Sequence, residues 1–303
     1  MRVLLAADGA LAAPLLASLA GAGHLHGAAW GAADPACRDW VRQACAAAGA
    51  AFLAADGPAS LAGWGSAADA DVALAFGWPW KIPPPLREAP RWGWINLHGG
   101  ALPGFRGPQP LFWQLREGAE SAQLVAHLMD GGLDTGPVLA SLPVGFGPRP
   151  THGSASRALA QAAPALAGAV LDTLSREGAA ALARATPQAG EARIRPRPGM
   201  EDVRIAWDRM GADQVDALVR ACNPWNLGAW TALEGEPCRL LETSPLGALD
   251  GAPGTVRPLG DGGLAVACRD GRGLRLGLLR LEDGFYSGAR LRELGLGGGA
   301  RFA

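Results

Sequence analysis

Between Arg2 and Asp130 the chain repeats one device. Short apolar runs of six to nine residues are separated by stretches with helical spacing or turn chemistry. The runs are RVLLAA at Arg2–Ala7, HLHGAAW at His24–Trp30, AAFLAA at Ala50–Ala55, DVALAFGW at Asp71–Trp78, GWINLH ending at His98, and AQLVAHLMD ending at Asp130. They have strand length, and most are apolar along their whole course, as expected of strands covered on both faces. Between them, PLLASLAGAG reads as a helix ending at glycine, Asp39–Ala50 has helical character, Pro79–Pro85 is a proline-rich loop, and QPLFWQLREG reads as a helix. Strands alternating with helices predict an α/β domain with a Rossmann-like, mostly parallel sheet.

Thr151–Ala183 is alanine-rich and helical in pattern despite Pro164. Pro187–Ile205 is then rich in Pro, Arg and Gly, without apolar periodicity, and reads as a crossing to a second domain. Beyond it, Ala212–Cys222 looks helical, and Glu236–Leu281 offers several short strands split by turns such as GDGG. The expected organisation is a first domain at 1–187, a linker at 188–205, and a smaller β-rich domain at 206–303. An OB-like barrel is one form open to that last domain. The apolar fraction of 49% suffices for a core, and the net charge of −1 excludes a global attraction to nucleic acid or anionic lipid. Asp8, Gly9 and Pro14 turn the apolar amino-terminal stretch into a strand and helix rather than a signal peptide. No run reaches membrane-spanning length without a charge or breaker. Five cysteines without a CxxC pair suit a reduced, cytoplasmic setting.

The chemistry concentrates in INLHGGALPGFRG, Ile95–Gly107. Residues two apart in a strand share a face, so Asn96 and His98 project together from the carboxyl end of a strand, where open α/β sheets bind ligands. An Asn amide can donate to a developing oxyanion, and a His can move a proton near neutral pH. MDGGLDTGPVL, Met129–Leu139, offers Asp130 and Asp134 as carboxylates to orient the imidazole. Together these are parts for transferring an acyl group to an amine. Spacing alone leaves a capped loop histidine and a general base both open.

INLHGGALPGFRG followed by LDTGPVL resembles the signature of the folate-dependent formyltransferases. That family includes methionyl-tRNA formyltransferase, glycinamide ribonucleotide transformylase and the sugar N-formyltransferases. Asn96, His98, Leu102, Pro103, Arg106, Gly107, Asp134 and Gly136 fall on its pattern positions. Further on, Ile205, Trp207, Arg220, Ala221 and Pro224 resemble the crossing into the carboxyl-terminal domain of the methionyl-tRNA and sugar enzymes. The likeness runs from near the start to about residue 235. It implies a catalytic set of Asn96, His98 and Asp134, with 10-formyltetrahydrofolate as co-substrate and no metal. It also implies a pterin pocket near Trp80, Ile82, Met129, Asp130 and Leu133. Arg106 either meets a phosphate or carboxylate of the substrate or fixes the loop after Pro103. Where the family has Pro-Ser after the histidine, this chain has Gly99-Gly100, so the loop is expected to sit differently.

For the acceptor, residues 200–303 hold twelve arginines and no lysine against fourteen carboxylates, a balance of −2. The segment Gly27–Gly57 carries only Arg38 and Arg42 as basic residues. That suits RNA poorly. The expected partner is a small-molecule amine: an amino sugar nucleotide, an amino acid or a hydroxylamine. Aminoacyl-tRNA is the alternative, and no membrane partner is expected. A homodimer is compatible with the sequence. A catalytically weak folate-binding or scaffold protein is the non-enzyme reading, against which the complete catalytic trio argues. Hydrolysis of the formyl folate is a third class; that branch usually carries an amino-terminal regulatory domain, which this sequence does not show. GAGHLHG lacks the G-x-G-x-x-G spacing of dinucleotide binders, and His24 with His26 has no cluster of further metal ligands nearby.

Overall fold

The structure is a computed structural model that describes residues 1–31 and 34–303. Contacts divide the chain into two compact units. The first comprises Met1–Pro110, Ser121–Gly145 and Ser156–Arg195; the second comprises Leu111–Glu120, Phe146–Ala155 and Pro196–Ala303.

The first unit opens with β1 (Val3–Ala7), α1 (Ala13–Gly21), β2 (Leu25–Trp30), α2 (Pro35–Ala47), β3 (Ala51–Ala54), β4 (Val72–Phe76), a short α3 (Pro84–Arg87) and β5 (Trp94–His98). These five strands are parallel, in the order β3-β2-β1-β4-β5. Every residue of β1 and β4 is buried, which is why their sequences are apolar throughout rather than alternating. The Ala-rich edge strand β3 is partly exposed. α2 begins at Pro35, earlier than its sequence periodicity suggests. Asp34 caps it by accepting from the Cys37 amide at 3.0 Å, and Pro35 pre-sets the first turn.

After α4 (Pro110–Arg116), most of which belongs to the second unit, come β6 (Ser121–Leu128) and β7 (Val138–Gly145). They extend the sheet beyond β5 and are antiparallel. The loop between β6 and β7 is too short for a parallel crossover, so it turns the chain straight back. The sheet is therefore Rossmann-like and mostly parallel with an antiparallel margin. α5 (His152–Glu177) runs unbroken through Pro164 and is followed by α6 (Ala179–Ala183).

The second unit contains α7 (Met200–Val203), α8 (Ala212–Ala221), β8 (Ala229–Leu233), β9 (Glu236–Ala248), β10 (Val256–Pro258), β11 (Leu264–Ala267), β12 (Arg272–Leu281), β13 (Gly284–Ser287) and α9 (Gly288–Glu293). Its strands are all antiparallel, ordered β10-β11-β12-β9-β8 with β13 on β12. The sequence suggests only short strands here, but β9 and β12 are long. β12 carries register shifts around Gly273 and Gly277, where the strand bulges without ending. Residues 300–303 pair with both margins. The Ala303 amide donates to the Ala232 carbonyl at 2.9 Å and the Val256 amide to the Ala300 carbonyl at 2.7 Å. The final residues thereby link the two edges of the sheet and close it toward a barrel.

One buried carboxylate organises this unit. Asp216 on α8 is 3% exposed and accepts from Arg149 Nη2 at 2.8 Å, Thr243 Oγ1 at 2.9 Å and Arg220 Nε at 2.9 Å. Arg220 also donates to the Pro150 carbonyl at 2.8 Å. Replacing Asp216 with Ala strands the nearly buried Arg220 charge, and truncating one partner of such a pair costs about 3–5 kcal/mol. A fall of that size in the free energy of unfolding of Asp216→Ala is expected in denaturant titration. A loss under about 1 kcal/mol, the range of a surface pair, would contradict it.

Candidate active site

Asn96 and His98 leave the carboxyl end of β5 on one face. The antiparallel register with β6 sets His127 directly opposite Asn96, and opposed residues share a face. The loop after β6 then returns Asp134 to the same point. Asn96 Nδ2 donates to Asp134 Oδ1 at 3.2 Å and meets His127 Nε2 at 3.2 Å. His98 Nδ1 lies 3.7 Å from Asp134 Oδ2, and His127 Nε2 lies 3.6 Å from Asp134 Oδ1. The three side chains picked out by the sequence thus converge, together with one it did not reveal.

The hydrogen bonds assign the imidazole tautomers. A carbonyl only accepts, so the 2.7 Å contact to the Phe105 carbonyl puts the proton of neutral His98 on Nε2. Its lone pair is then on Nδ1, the atom facing Asp134. His127 likewise donates from Nδ1 to the Leu128 carbonyl at 2.9 Å, leaving its Nε2 to accept from Asn96. His98 is therefore oriented by a backbone carbonyl, and Asp134 faces its lone pair beyond hydrogen-bond range.

Burial pushes the pKa of His98 below its ordinary 6.5, and this outweighs the raising effects of the Asp134 charge and the Phe105 hydrogen bond. Burial alone would raise Asp134. The His127 contact, the His98 charge and the Gly107 amide together hold it below the ordinary carboxylate range. At neutral pH the pair is a neutral imidazole beside a carboxylate, the state in which Nδ1 can take a proton and the resulting cation is stabilised.

The loop carrying Asp134 is tightly specified. Asp134 has φ of 53°, a left-handed conformation uncommon outside glycine. The Gly107 amide donates to its Oδ2 at 2.9 Å. A Cβ on Gly107 would overlap the Arg195 carbonyl, and one on Gly136 would overlap the Leu128 carbonyl, so the pattern glycines are required by backbone approach. Gly99 has its own neighbour: a Cβ there would sit 3.1 Å from Leu159 Cδ1, so a proline at that position needs Leu159 to yield.

The remaining candidates have distinct surroundings. Arg106 donates from Nε and Nη2 to Gln188 Oε1 at 3.0 and 2.7 Å. Ile82 is buried in the core cluster with Trp64 and Trp94, and Trp78 and Met129 pack against that cluster. Trp80 meets Trp78 edge-on with ring centroids 4.9 Å apart. The Trp78 Nε1 donor is buried and meets no acceptor among the described residues. Leu133 is 40% exposed. The Asp130 carboxylate is engaged by its own loop, accepting from the Gly132 amide at 2.8 Å and Thr135 Oγ1 at 2.5 Å, so it braces the turn. A separate cavity of about 680 Å³ in the second unit, lined by Arg204, Trp207, Glu234, Arg301 and Phe302 among others, shares no residue with this cluster.

Two residues escaped the sequence reading. His127 lies in a strand that was legible, but its role depends on the β5–β6 register. Gln188 lies in the composition-marked crossing, where nothing signals a side chain reaching the site. Among the described residues no three His, Cys, Asp or Glu groups are placed to hold a metal, and no helix is long and apolar enough to cross a membrane.

Comparisons with known proteins place the chain among formyl transferases. Family models for formyl transferase and for the formyl transferase C-terminal domain match residues 49–171 and 199–289. A methionyl-tRNA formyltransferase of Geobacter metallireducens is 33% identical over 232 residues, covering 74% of this chain and 71% of that protein. One from Cutibacterium acnes is 37% identical over 189 residues, which span 62% of this chain and 58% of the relative's length. Among solved structures, HypX from Aquifex aeolicus in complex with tetrahydrofolic acid aligns with a TM-score of 0.68 at 19% identity, over 97% of this chain and 47% of that one. An N-formyltransferase from Helicobacter canadensis aligns with a TM-score of 0.67 at 10% identity, over 94% of this chain and 100% of that one. These two likenesses concern the fold.

Proposed function

The chain belongs to the formyl transferase family, and from that premise we propose that it moves a formyl group from 10-formyltetrahydrofolate to a primary amine. The observation that carries this reading is the convergence of Asn96, His98 and Asp134 at the end of β5, with the lone pair of His98 left on Nδ1. The formyl folate supplies an activated carbonyl. His98 Nδ1 takes the proton that the attacking amine must lose as its nitrogen bonds to the formyl carbon, and the same proton is then available to the departing folate nitrogen. Asn96 Nδ2 donates to the formyl oxygen as that atom gathers negative charge. Asp134, ionised throughout, stabilises the imidazolium between the two transfers. The Trp78 donor, unpartnered among the described residues and edge-on to Trp80, fits a flat heterocycle rich in acceptors, and supports a pterin site on that side. Incubation with formyl folate and a panel of amines tests the reading, with a formyl mass gain on one of them as the expected result. Absence of gain on every small amine and on aminoacyl-tRNA would defeat it.

A small molecule is the acceptor we favour, on the −2 balance of residues 200–303 and the scarcity of lysine. The names of the curated relatives favour methionyl-tRNA as the second reading. Salt separates the two. A protein neutralising six to ten phosphates loses about 10³–10⁵ in affinity between about 50 and 200 mM salt, because binding releases condensed counterions. Transfer to the true acceptor is expected to change less than about threefold over that range, since few charges are brought together. Robust formylation of methionyl-tRNA with a steep salt slope would reverse the choice.

A further inference from the structure

We infer that Gln188 is a positioning residue for the formyl-transfer site, a clamp joining Arg106 to the backbone that presents the Asp134 carboxylate. The inference rests on the transfer reading for the site itself. Gln188 uses both ends of its amide in one direction. Oε1 accepts from Arg106 Nε at 3.0 Å and Nη2 at 2.7 Å. Nε2 donates to the Asp134 carbonyl at 2.8 Å and the Gly136 carbonyl at 2.8 Å. All the ordinary hydrogen-bonding capacity of the NH₂ group is spent on two carbonyls of a single turn. Both guanidinium donors converge on Oε1, which identifies the oxygen end of the amide and leaves the NH₂ end for the two carbonyls.

That turn needs holding. Asp134 adopts a positive φ, which a non-glycine residue keeps only where its surroundings over-determine it. Its carboxylate accepts from the Asn96 and Gly107 amides while lying 3.6 Å from His127 Nε2 and 3.7 Å from His98 Nδ1. A backbone shift carries both oxygens away from all of them. Gln188 itself touches none of the four, so it acts through Asp134. Arg106 enters the same chain of contacts from the other side, because its backbone pairs with Arg193 and Arg195, a few residues beyond Gln188. The segment read from composition as a crossing therefore supplies a support of the site.

Glutamate distinguishes a clamp from a space-filler. Gln188→Glu keeps the size and can still accept from Arg106, but turns an oxygen toward the carbonyls of Asp134 and Gly136. Expected for Gln188→Glu and Gln188→Ala alike is a loss of about 10²-fold in kcat, the scale of an ångström's misplacement, with KM for the formyl donor changed only a few-fold. The imidazole pKa of His98, followed by NMR in the free protein, is expected to fall in both variants. The groups facing His98 are Asp134, which raises its pKa, and His127, which lowers it, so a displaced carboxylate leaves burial less opposed. This second readout needs no acceptor and no turnover. A wild-type protein inactive on every amine would remove the transfer reading yet leave the NMR comparison to judge the clamp. Wild-type kcat and an unmoved His98 titration in folded Gln188→Glu would overturn the inference, whatever Gln188→Ala does to stability.

Discussion

His98→Asn is expected to lower kcat by about 10²–10⁴-fold in a protein that remains folded, because a general base contributes on that scale. The side chain is buried, its Nε2 proton is committed to the Phe105 carbonyl, and its Nδ1 lone pair faces Asp134. The pH dependence has a definite sign. A base works in its neutral form, and burial holds the pKa of His98 below the ordinary 6.5. The acidic limb of kcat/KM is therefore expected below that value, so the wild-type enzyme keeps more than half its limiting rate at pH 6.5. Circular dichroism establishes that the variant is folded, and steady-state rates across pH supply the rest. Activity within a few-fold of wild type in folded His98→Asn would leave His98 with a structural role only.

Asn96→Ala carries the second large effect, a fall of about 10²–10³-fold in kcat, or about 3 kcal/mol of lost transition-state stabilisation. An oxyanion donor acts where charge develops, so KM for the formyl donor should change little. The resting site adds a particular point. One amide hydrogen of Asn96 is directed at His127 Nε2 and the other at Asp134 Oδ1. A developing oxyanion has to share or replace one of these partners. A variant whose KM rises while kcat stays near wild type would show ordinary ground-state binding and end the assignment of Asn96 as oxyanion donor.

The α/β half was legible because its signal is local. Fully buried parallel strands are short apolar runs, and Asn96 and His98 sit two apart in one of them, so a period of two sufficed to pair them. Asp134 needed a family pattern, since nothing local says that a loop thirty-odd residues on folds back to β5. His127 required the register of β6 against β5, a pairing that composition does not encode. Gln188 is the extreme case: surrounded by Pro, Ala and Gly, it has no periodicity and gains meaning only from Arg106 and the two carbonyls it binds. In the second unit, the length of β12 was not legible, because a glycine at a bulge, such as Gly273 or Gly277, looks the same in sequence as a glycine in a turn. Composition carried no sign that residues 111–120 and 146–155 join the later unit.

That interleaving bears on how such a protein can change over generations. A single recombination at the crossing would import a new β-rich half while leaving behind Arg149 and Pro150, which the α8 residues Asp216 and Arg220 bind. The Arg149 guanidinium and the Pro150 carbonyl left behind would lose the Asp216 and Arg220 groups that meet them here. An exchange of the later half by one crossover is thus disfavoured, because it separates residues 111–120 and 146–155 from the unit they complete.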